Sequence, residues 1–272
     1  MIGIVGASGL IGHALYKFLK KEGENVIGTY FLNKKKGLLR FDLRKDDFSI
    51  ASKCSEVIIT SAIVGIDECF LNRAEAYNLN VERTIGLIKY LADREIKPIF
   101  ISSDQIFDGK KGNYLDNDAP NPINLYGEYK LMVEEFMRRN LNNYLVVRMS
   151  KIYSKDIKEN TIFSEILLRL KKKRNIEVAH NQIFNPTDIE MLCGLLYKII
   201  KMKLKNTYNL ANHNIMSRYD FALLVAGTCG LDKGLISPVD INNLSLLEKR
   251  PLNSSLNVSK VNEELVKWTR IS

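Results

Sequence analysis

The chain of 272 residues is long enough for one large α/β domain, or for one domain with a smaller lobe. Hydrophobic residues make up 46% and charged residues 26% of the sequence, a globular composition that excludes global disorder. The net charge is +9, but the basic residues are scattered and no basic stripe is interleaved with aromatic residues. This pattern favours a solvated surface or attraction of an anionic ligand, and we expect no nucleic-acid partner.

No apolar run approaches the ~18 residues that a membrane span requires, so no membrane partner is expected. The first predicted strand begins at Ile2, so we expect no signal peptide ahead of it and a cytoplasmic location. The four cysteines are widely spaced, and the three histidines have no metal-ligand spacing. We therefore predict free thiols and no metal site.

The first half of the chain alternates short apolar runs with amphipathic stretches. The apolar runs predict strands at Ile2–Val5, 25–29, 38–41, 56–60, 98–101 and 144–147. Apolar residues at helical spacing predict helices at Leu10–Lys21, across 76–91 and at 126–139. This alternation predicts an α/β fold of the Rossmann type, with a doubly wound parallel sheet covered by helices on both faces.

After Arg148 the pattern changes to helices joined by longer, Asn-rich segments. The predicted helices of this part lie at 161–172, 188–201, Arg218–Thr228 and 259–266. We predict a first domain over residues 1–148 and a smaller C-terminal lobe over residues 149–272. The chain of the lobe is expected to be interleaved with the first domain.

Three glycines lie directly between the first predicted strand and the first predicted helix. Gly6 permits a tight turn, Gly9 lets backbone N–H groups approach a pyrophosphate, and Gly12 lets the helix pack closely on the strand. The N-terminus of the helix then faces the negative phosphates. Residues 1–148 are therefore predicted to bind a dinucleotide, NAD(H) or NADP(H).

The end of the second strand distinguishes NAD from NADP, because an acidic residue there binds the adenosine ribose of NAD. Residues 29–36 contain no acid and end in three lysines, of which Lys34 is the first. We therefore favour NADP(H) over NAD(H), although an exposed loop would also account for the lysines. Tyr30 and Lys34 are cofactor candidates in this stretch, and Asp42, after the third strand, is expected near the adenine.

Tyr126 and Lys130 are four residues apart at the start of a predicted helix and share one face of it. An ammonium beside a phenol favours the phenolate and lowers the pKa of the phenol. The tyrosine could then give a proton to a carbonyl oxygen while a hydride arrives from the nicotinamide. Ser103 follows the fifth strand and could polarise the same carbonyl. Tyr129 competes for the role, but it neighbours Lys130 and points elsewhere on the helix.

The glycine spacing of three and three resembles that of the extended short-chain dehydrogenase/reductases. Several further segments resemble the dTDP-4-dehydrorhamnose reductase family of that class. They are residues 101–109 (Ile-Ser-Ser-Asp-Gln-Ile-Phe-Asp-Gly), residues 122–131 (Pro-Ile-Asn-Leu-Tyr-Gly-Glu-Tyr-Lys-Leu), residues 146–148 (Val-Val-Arg), residues 181–187 (Asn-Gln-Ile-Phe-Asn-Pro-Thr) and the pattern that begins at Arg250-Pro251. The resemblance therefore covers almost the whole chain.

The resemblance implies an NAD(P)H-dependent reductase of a 4-keto-6-deoxy sugar nucleotide in surface-polysaccharide or deoxysugar biosynthesis. It implies that the C-terminal lobe binds a nucleotide-sugar substrate and that the chain can form a homodimer. The implied catalytic residues are Ser103, Tyr126 and Lys130. The cofactor-binding set comprises Gly6, Ser8, Gly9, Leu10, Ile11, Gly12, Tyr30, Lys34, Asp42, Leu43, Ser61, Ala62, Tyr126 and Lys130. The substrate-binding set comprises Asp104, Gln105, Phe107 and Arg250.

The sequence departs from the family pattern around the substrate. Gln105 replaces a tyrosine, Thr60-Ser61-Ala62 replaces Asn-Ala-Ala, and Lys151 replaces an aromatic residue. These changes leave the Tyr/Lys pair intact and leave the identity of the sugar open. Arg250 could equally form a structural ion pair, and Asp104 could equally be a turn or cap carboxylate.

Two other functions stay open at this point. The fold also resembles that of the regulatory subunit of methionine adenosyltransferase, a non-catalytic NADP-binding protein. A sugar-nucleotide epimerase or dehydratase would share the same fold. An epimerase needs a further acid/base pair, for which Cys69 and His180 are the candidates.

Overall fold

The computed structural model describes residues 1–271, so Ser272, the last residue of the predicted lobe, lies outside the described residues. The first half of the chain contains β1 (Ile2–Val5), α1 (Leu10–Lys21), β2 (Val26–Tyr30), β3 (Leu39–Arg40), β4 (Glu56–Ile59), α2 (Ile66–Leu71), α3 (Arg73–Tyr77), α4 (Thr84–Ala92), β5 (Lys97–Ser103), α5 (Leu125–Asn140) and β6 (Leu145–Met149). The second half contains β7 (Ile152–Tyr153), α6 (Ile162–Lys171), β8 (Ile176–Ala179), β9 (Ile183–Phe184), β10 (Thr187–Asp188), α7 (Ile189–Lys201), β11 (Asn206–Leu210), β12 (Met216–Ser217), α8 (Arg218–Thr228), β13 (Ile236–Val239) and α9 (Ser259–Ile271).

The central sheet has seven strands in the order β11-β6-β5-β4-β1-β2-β3, and every neighbouring pair is parallel. The chain moves outward in one direction from β1 to β3 and in the other from β4 to β11. The direction of winding therefore reverses between β1 and β4, and in such sheets ligands bind at the carboxyl ends of the strands at that reversal. The predicted α/β, doubly wound parallel fold is confirmed.

Helices cover both faces of the sheet because successive strand residues point to opposite sides. On one face, Ile4 and Ile58 join a core that includes Leu15 of α1 and Leu196 of α7. On the other face, Val5 and Ile59 of the strands join a core with Leu87 of α4 and with Val133 and Met137 of α5. Burial on both sides explains why these strands are continuous apolar runs rather than alternating ones.

Several element boundaries differ from those predicted. The predicted helix across 76–91 is α3 and α4 joined by a π-helical segment, Asn78–Arg83. In that segment the buried Asn80 side chain accepts from the Ile63 backbone N–H and donates to the Ile63 carbonyl, both at 2.9 Å. Helix α2 and strand β11 had no counterpart in the prediction. Strand β11 returns the chain, after residue 148, to the edge of the first sheet.

The C-terminal part also builds a separate small layer beside the sheet. Strands β8 and β13 pair in parallel, and β9 and β12 pair antiparallel. Helices α6 and α8 pack with them around a core that includes Ile166, Phe184 and Phe221. A cleft separates this layer from the carboxyl ends of the sheet strands. Within residues 1–271, no helix is long and apolar enough to cross a bilayer.

A buried ion pair fixes α5 against the sheet. The Arg148 guanidinium on β6 donates to the Glu134 carboxylate on α5, with the closest N–O distance 2.7 Å, and both side chains are at most 7% exposed. The Ser102 hydroxyl on β5 donates to the same carboxylate, and Arg148 also donates to the Asp116 carbonyl at 2.9 Å. One carboxylate therefore joins α5, β5 and β6. Glu134 lies one helical turn after Lys130.

We predict that Glu134→Gln lowers the free energy of unfolding by about 3–5 kcal/mol, because it leaves the Arg148 charge buried without its counter-charge. The control is Glu135→Gln, which breaks the exposed pair of Glu135 with Arg139 on the same helix. That change should cost about 0.5 kcal/mol or less. Urea titration of both variants measures the difference, and equal losses would contradict the role given to the buried pair.

Candidate active site

Two adjoining cavities lie where the winding of the sheet reverses. The first has a volume of about 360 Å³ and opens along the ends of β1, β2 and β4. The predicted cofactor residues that line it are Gly6, Ser8, Gly9, Tyr30, Asp42, Leu43, Ser61 and Ala62. The second has a volume of about 550 Å³ and lies between the sheet and the C-terminal lobe. Its lining includes the remaining glycine-loop residues Leu10, Ile11 and Gly12, and both cavities share Gly9 and Ala62.

The glycine loop has the close packing that a dinucleotide cradle requires. Gly6 has a φ of +93°, and a Cβ there would lie 2.6 Å from the Ser61 nitrogen. A Cβ on Gly12 would lie 2.4 Å from the Gly6 carbonyl oxygen. Helix α1 starts immediately after Gly9, which has no side chain to cap the first-turn N–H groups. Those N–H groups and the positive end of the helix dipole suit a pyrophosphate, so the loop fits the cofactor.

Arg44 lies at the end of the first cavity where the adenosine is expected. Burial would raise the pKa of Asp42, but hydrogen bonds and charge from Arg44 outweigh it and lower that pKa below its usual range. The Arg44 guanidinium donates to Asp42 at 3.0 Å and to Glu75 at 2.7 Å, and it lies 4.4 Å above the Phe31 ring. Lys34, a predicted cofactor residue, is exposed beside Asn33 at the edge of this cavity and is not among its lining residues, so its role stays a prediction. Arg44 is the cation among the residues that line this cavity, and no motif in the sequence marks it.

The second cavity brings together Ser103 at the end of β5 and Tyr126 in the first turn of α5. Helix α5 begins after Asn124, whose side chain caps it by accepting from the Gly127 N–H at 2.9 Å. The Ser103 side chain lies near enough to the Tyr126 phenol to lower the pKa of that phenol, although burial has the larger and opposite effect. Tyr129 is buried on another side of the helix, where its hydroxyl lies 3.5 Å from the Arg73 carbonyl oxygen.

The pKa values of the tyrosine and lysine differ from the sequence-based expectation. The pKa of Tyr126 is raised rather than lowered, because burial outweighs every other effect and the Asp104 charge adds to it. Burial lowers the pKa of Lys130 to about 8. The Lys130 ammonium donates to the Ile101 carbonyl at 2.8 Å and lies 5.7 Å from the centre of the Tyr126 ring. The lysine therefore sits beside the ring without bonding its hydroxyl.

Asp104 connects the end of β5 to the C-terminal part of the chain. One carboxylate oxygen accepts from the Ser103 hydroxyl and the Gln105 amide, both at 3.1 Å. The other accepts from Ser150 at 3.2 Å and from Ser254 at 2.7 Å. Asp104 lines the cavity but is only 5% exposed. Four protein donors therefore bind its two oxygens, an arrangement that suits the structural alternative to a substrate-binding role.

The other predicted substrate residues divide into two groups. Gln105 and Arg250 line the second cavity. Arg250 also pairs with Asp67 of α2 at 2.9 Å, so the ion-pair alternative is present at the cavity wall. Phe107 was wrongly placed against the substrate. It is fully buried and stacks on Tyr114, with ring centres 4.1 Å apart, behind the strand end that forms the cavity.

Two further cations, Lys151 and Arg218, line the second cavity from the lobe side. Lys151 was noted only as a departure from the family pattern, and Arg218 was not considered. Arg218 follows Ser217, which caps α8, and nothing in that local pattern shows that the side chain points into the cavity. Cys69 and His180, the candidates for an epimerase acid/base pair, do not line the cavity. Burial raises the pKa of the Cys69 thiol to about 11, which makes it a poor acid/base group.

We predict that Gly12→Ala abolishes measurable NADPH binding, because the new methyl group would collide with the Gly6 carbonyl and move the glycine loop. The matched control is Gly194→Ala in α7, where a Cβ meets only Phe18, at 4.0 Å. Fluorescence titration with NADPH measures binding, and thermal melting checks that both variants fold. NADPH affinity unchanged in folded Gly12→Ala protein would refute this assignment of the loop.

Comparisons with known proteins identify the family. The family model described as the RmlD substrate binding domain matches residues 1–270. The chain is 27% identical to a dTDP-4-dehydrorhamnose reductase of Aggregatibacter actinomycetemcomitans, over 96% of this chain and 91% of that protein. It is also 27% identical to the methionine adenosyltransferase 2 subunit beta of Bos taurus, over 95% of this chain and 80% of that protein.

Solved structures show the same fold. A hypothetical dTDP-4-dehydrorhamnose reductase from Sulfolobus tokodaii superposes with a TM-score of 0.87 at 26% identity, covering 97% of this chain and 94% of that one. A dTDP-4-dehydrorhamnose reductase from Bacillus anthracis, in complex with NADP, gives a TM-score of 0.85 at 24% identity, covering 97% and 92%. The match of the family model over nearly the whole chain shows that this protein belongs to the RmlD family, that of the dTDP-4-dehydrorhamnose reductases.

Proposed function

We propose that this protein is an NADPH-dependent reductase of a keto group on a nucleotide-linked sugar. The observation that carries the proposal is that Tyr126, Ser103 and the start of α1 line one cavity. A carbonyl held there would meet a phenol, a hydroxyl and the nicotinamide end of a cofactor bound on the glycine loop. The dTDP-4-dehydrorhamnose reductases among the relatives make a 4-keto-6-deoxy sugar nucleotide the first substrate class to assay. Polysaccharide or deoxysugar synthesis in the cytoplasm is the proposed setting.

The state of Tyr126 suits the reducing direction. A nicotinamide cofactor held by the glycine loop would supply the hydride for the carbonyl carbon. Because burial raises the pKa of Tyr126, the phenol stays protonated at neutral pH and can give its proton to the oxygen that gains negative charge. The Ser103 hydroxyl, which now donates to Asp104 at 3.1 Å, can turn its hydrogen towards the same oxygen. The Lys130 ammonium beside the ring favours the phenolate that remains.

NADP(H) is proposed over NAD(H) on two grounds. Residues 29–36 have no carboxylate to bind the ribose hydroxyls, and Arg44 supplies a guanidinium at the same end of the cavity. The reductase from Bacillus anthracis was solved with NADP. The ratio of kcat/KM for NADPH and NADH measures the preference, and Arg44→Ala should reduce that ratio.

We predict that Tyr126→Phe lowers kcat by about 100-fold or more, because the phenylalanine cannot donate the proton. The matched control is Tyr129→Phe, three residues along the same helix, which should keep nearly full activity since its hydroxyl faces Arg73. NADPH oxidation with a panel of 4-keto sugar nucleotides measures both variants. If the wild-type protein binds NADPH tightly but turns over no member of the panel, the proposed reductase function is wrong.

A pH profile gives an independent check on Lys130. Its pKa is lowered to about 8, so the ammonium is present below about pH 8 and is lost as the pH rises through that value. We predict that kcat/KM falls above about pH 8 and that Lys130→Met removes this fall along with most of the activity. The same descending limb in the profile of Lys130→Met would assign it to another group.

A second candidate function follows from the comparisons. The methionine adenosyltransferase 2 subunit beta relatives align with 95% of this chain, so a binding subunit without reductase activity is the alternative. The presence of Tyr126, Lys130 and Ser103 in one arrangement favours the reductase. A stable complex with another enzyme, whose activity is insensitive to Tyr126→Phe, would favour the binding subunit.

A further inference from the structure

Lys151 and Arg218 place two positive charges on the lobe side of the catalytic cavity. Among residues 1–268, neither side chain has a hydrogen-bond acceptor or a carboxylate in ion-pair contact. The third cation of the wall, Arg250, is already paired with Asp67 at 2.9 Å. Two like charges facing one cavity repel each other, and the Arg218 charge does lower the pKa of Lys151, after the larger effect of burial.

Lys151 lies beside the reacting centre rather than at the far end of the cleft. It is two residues beyond Met149 of β6, which is paired in register with Ser103 of β5. The intervening Ser150 donates to Asp104 at 3.2 Å, and Asp104 accepts from Ser103. Lys151 therefore directly follows the residues that line the cavity around Ser103, where the substrate carbonyl would bind.

Arg218 is held in place without a polar partner for its side chain. Its guanidinium lies 4.2 Å above the Phe184 ring, and its Nε is buried without a hydrogen-bond acceptor. A buried donor without an acceptor is costly, and a ligand carboxylate would remove that cost. The nearby carboxylate of Asp104 cannot do so, because serine hydroxyls and the Gln105 amide already occupy both of its oxygens.

We propose that Lys151 and Arg218 form a subsite for a carboxylate carried by the sugar of the nucleotide-linked substrate. The inference rests on the proposed function and refines it, since the keto sugar of the substrate would also carry a carboxylate. The aromatic residue of the family pattern suits an apolar edge of a sugar, whereas a lysine suits an anion. The diphosphate of the ligand is the other anion that could bind here. The position of Lys151 close to Ser103 favours an anion on the sugar over the diphosphate.

The test compares ligands that differ only in the carboxylate. Calorimetric titration of the NADP-loaded protein uses UDP-glucuronic acid, UDP-glucose and UDP, and the same three ligands with thymidine in place of uridine. We expect the wild-type protein to bind the uronic acid about tenfold or more tightly than the matching glucose compound. Lys151→Met should abolish that preference and leave the affinity for the nucleoside diphosphate unchanged, whereas Lys151→Arg should retain the preference. The control is Lys155→Met, which removes an exposed lysine paired with Asp188 and should change nothing.

The possible failures are distinguishable. Equal affinity of the wild-type protein for the uronic acid and glucose compounds overturns the inference and leaves the proposed reductase standing. A loss in Lys151→Met that is the same for UDP, UDP-glucose and UDP-glucuronic acid assigns the lysine to the diphosphate and also overturns it. Failure of the folded, NADP-loaded protein to bind any member of either series removes the nucleotide-sugar function itself, and the inference falls with it.

Discussion

The buried Glu134 carboxylate, which accepts hydrogen bonds from Arg148 and Ser102, determines where α5 lies on the sheet. It ties the helix to the two strands, β5 and β6, that end at the catalytic cavity. Glu134 is one turn from Lys130 and two turns from Tyr126, so a shift of this carboxylate would move both side chains relative to Ser103. The paired charges are costly to bury, and an arrangement of the three elements that separated them would leave an uncompensated buried charge. A rigidly held α5 keeps the Tyr126 phenol at a fixed distance from a carbonyl bound in the cavity.

A second set of polar contacts joins the lobe to this rigid unit. Asp104 follows the catalytic serine and holds Ser150 and Ser254, which come from distant parts of the chain. At the mouth of the cleft, Arg250 pairs with Asp67, and the Glu248 carboxylate accepts from the first N–H of α5 at 3.0 Å. The C-terminal segment thus contacts both α2 and the catalytic helix. The cavity between them is shaped by chain segments that the sequence separates by more than a hundred residues.

The sequence predicted the parts of this structure that local pattern controls. Strands buried on both faces appear as apolar runs. The position of the glycine loop between β1 and α1 is what indicates a dinucleotide-binding site. Strand β11 escaped prediction because Asn206-Thr207-Tyr208-Asn209-Leu210 is largely polar, and its place in the sheet depends on pairing with β6. The π-helical segment depends on the contact of Asn80 with Ile63, which no helical periodicity encodes. Phe107 was misplaced because a motif gives the position of a residue in the chain and not the direction of its side chain.

Electrostatics of the site were the least predictable from sequence. The spacing of Tyr126 and Lys130 suggested a lowered phenol pKa, whereas burial dominates and raises it. The position of Arg218 in the site depends on the fold, which turns α8 towards the cleft.

The central claim is that a carbonyl rests between Tyr126, Ser103 and the nicotinamide. A crystal structure with NADP and a sugar nucleotide tests it most directly. The account predicts a sugar oxygen within hydrogen-bonding distance of both hydroxyls, with the nicotinamide beside the same carbon; a sugar bound away from Tyr126 would contradict it.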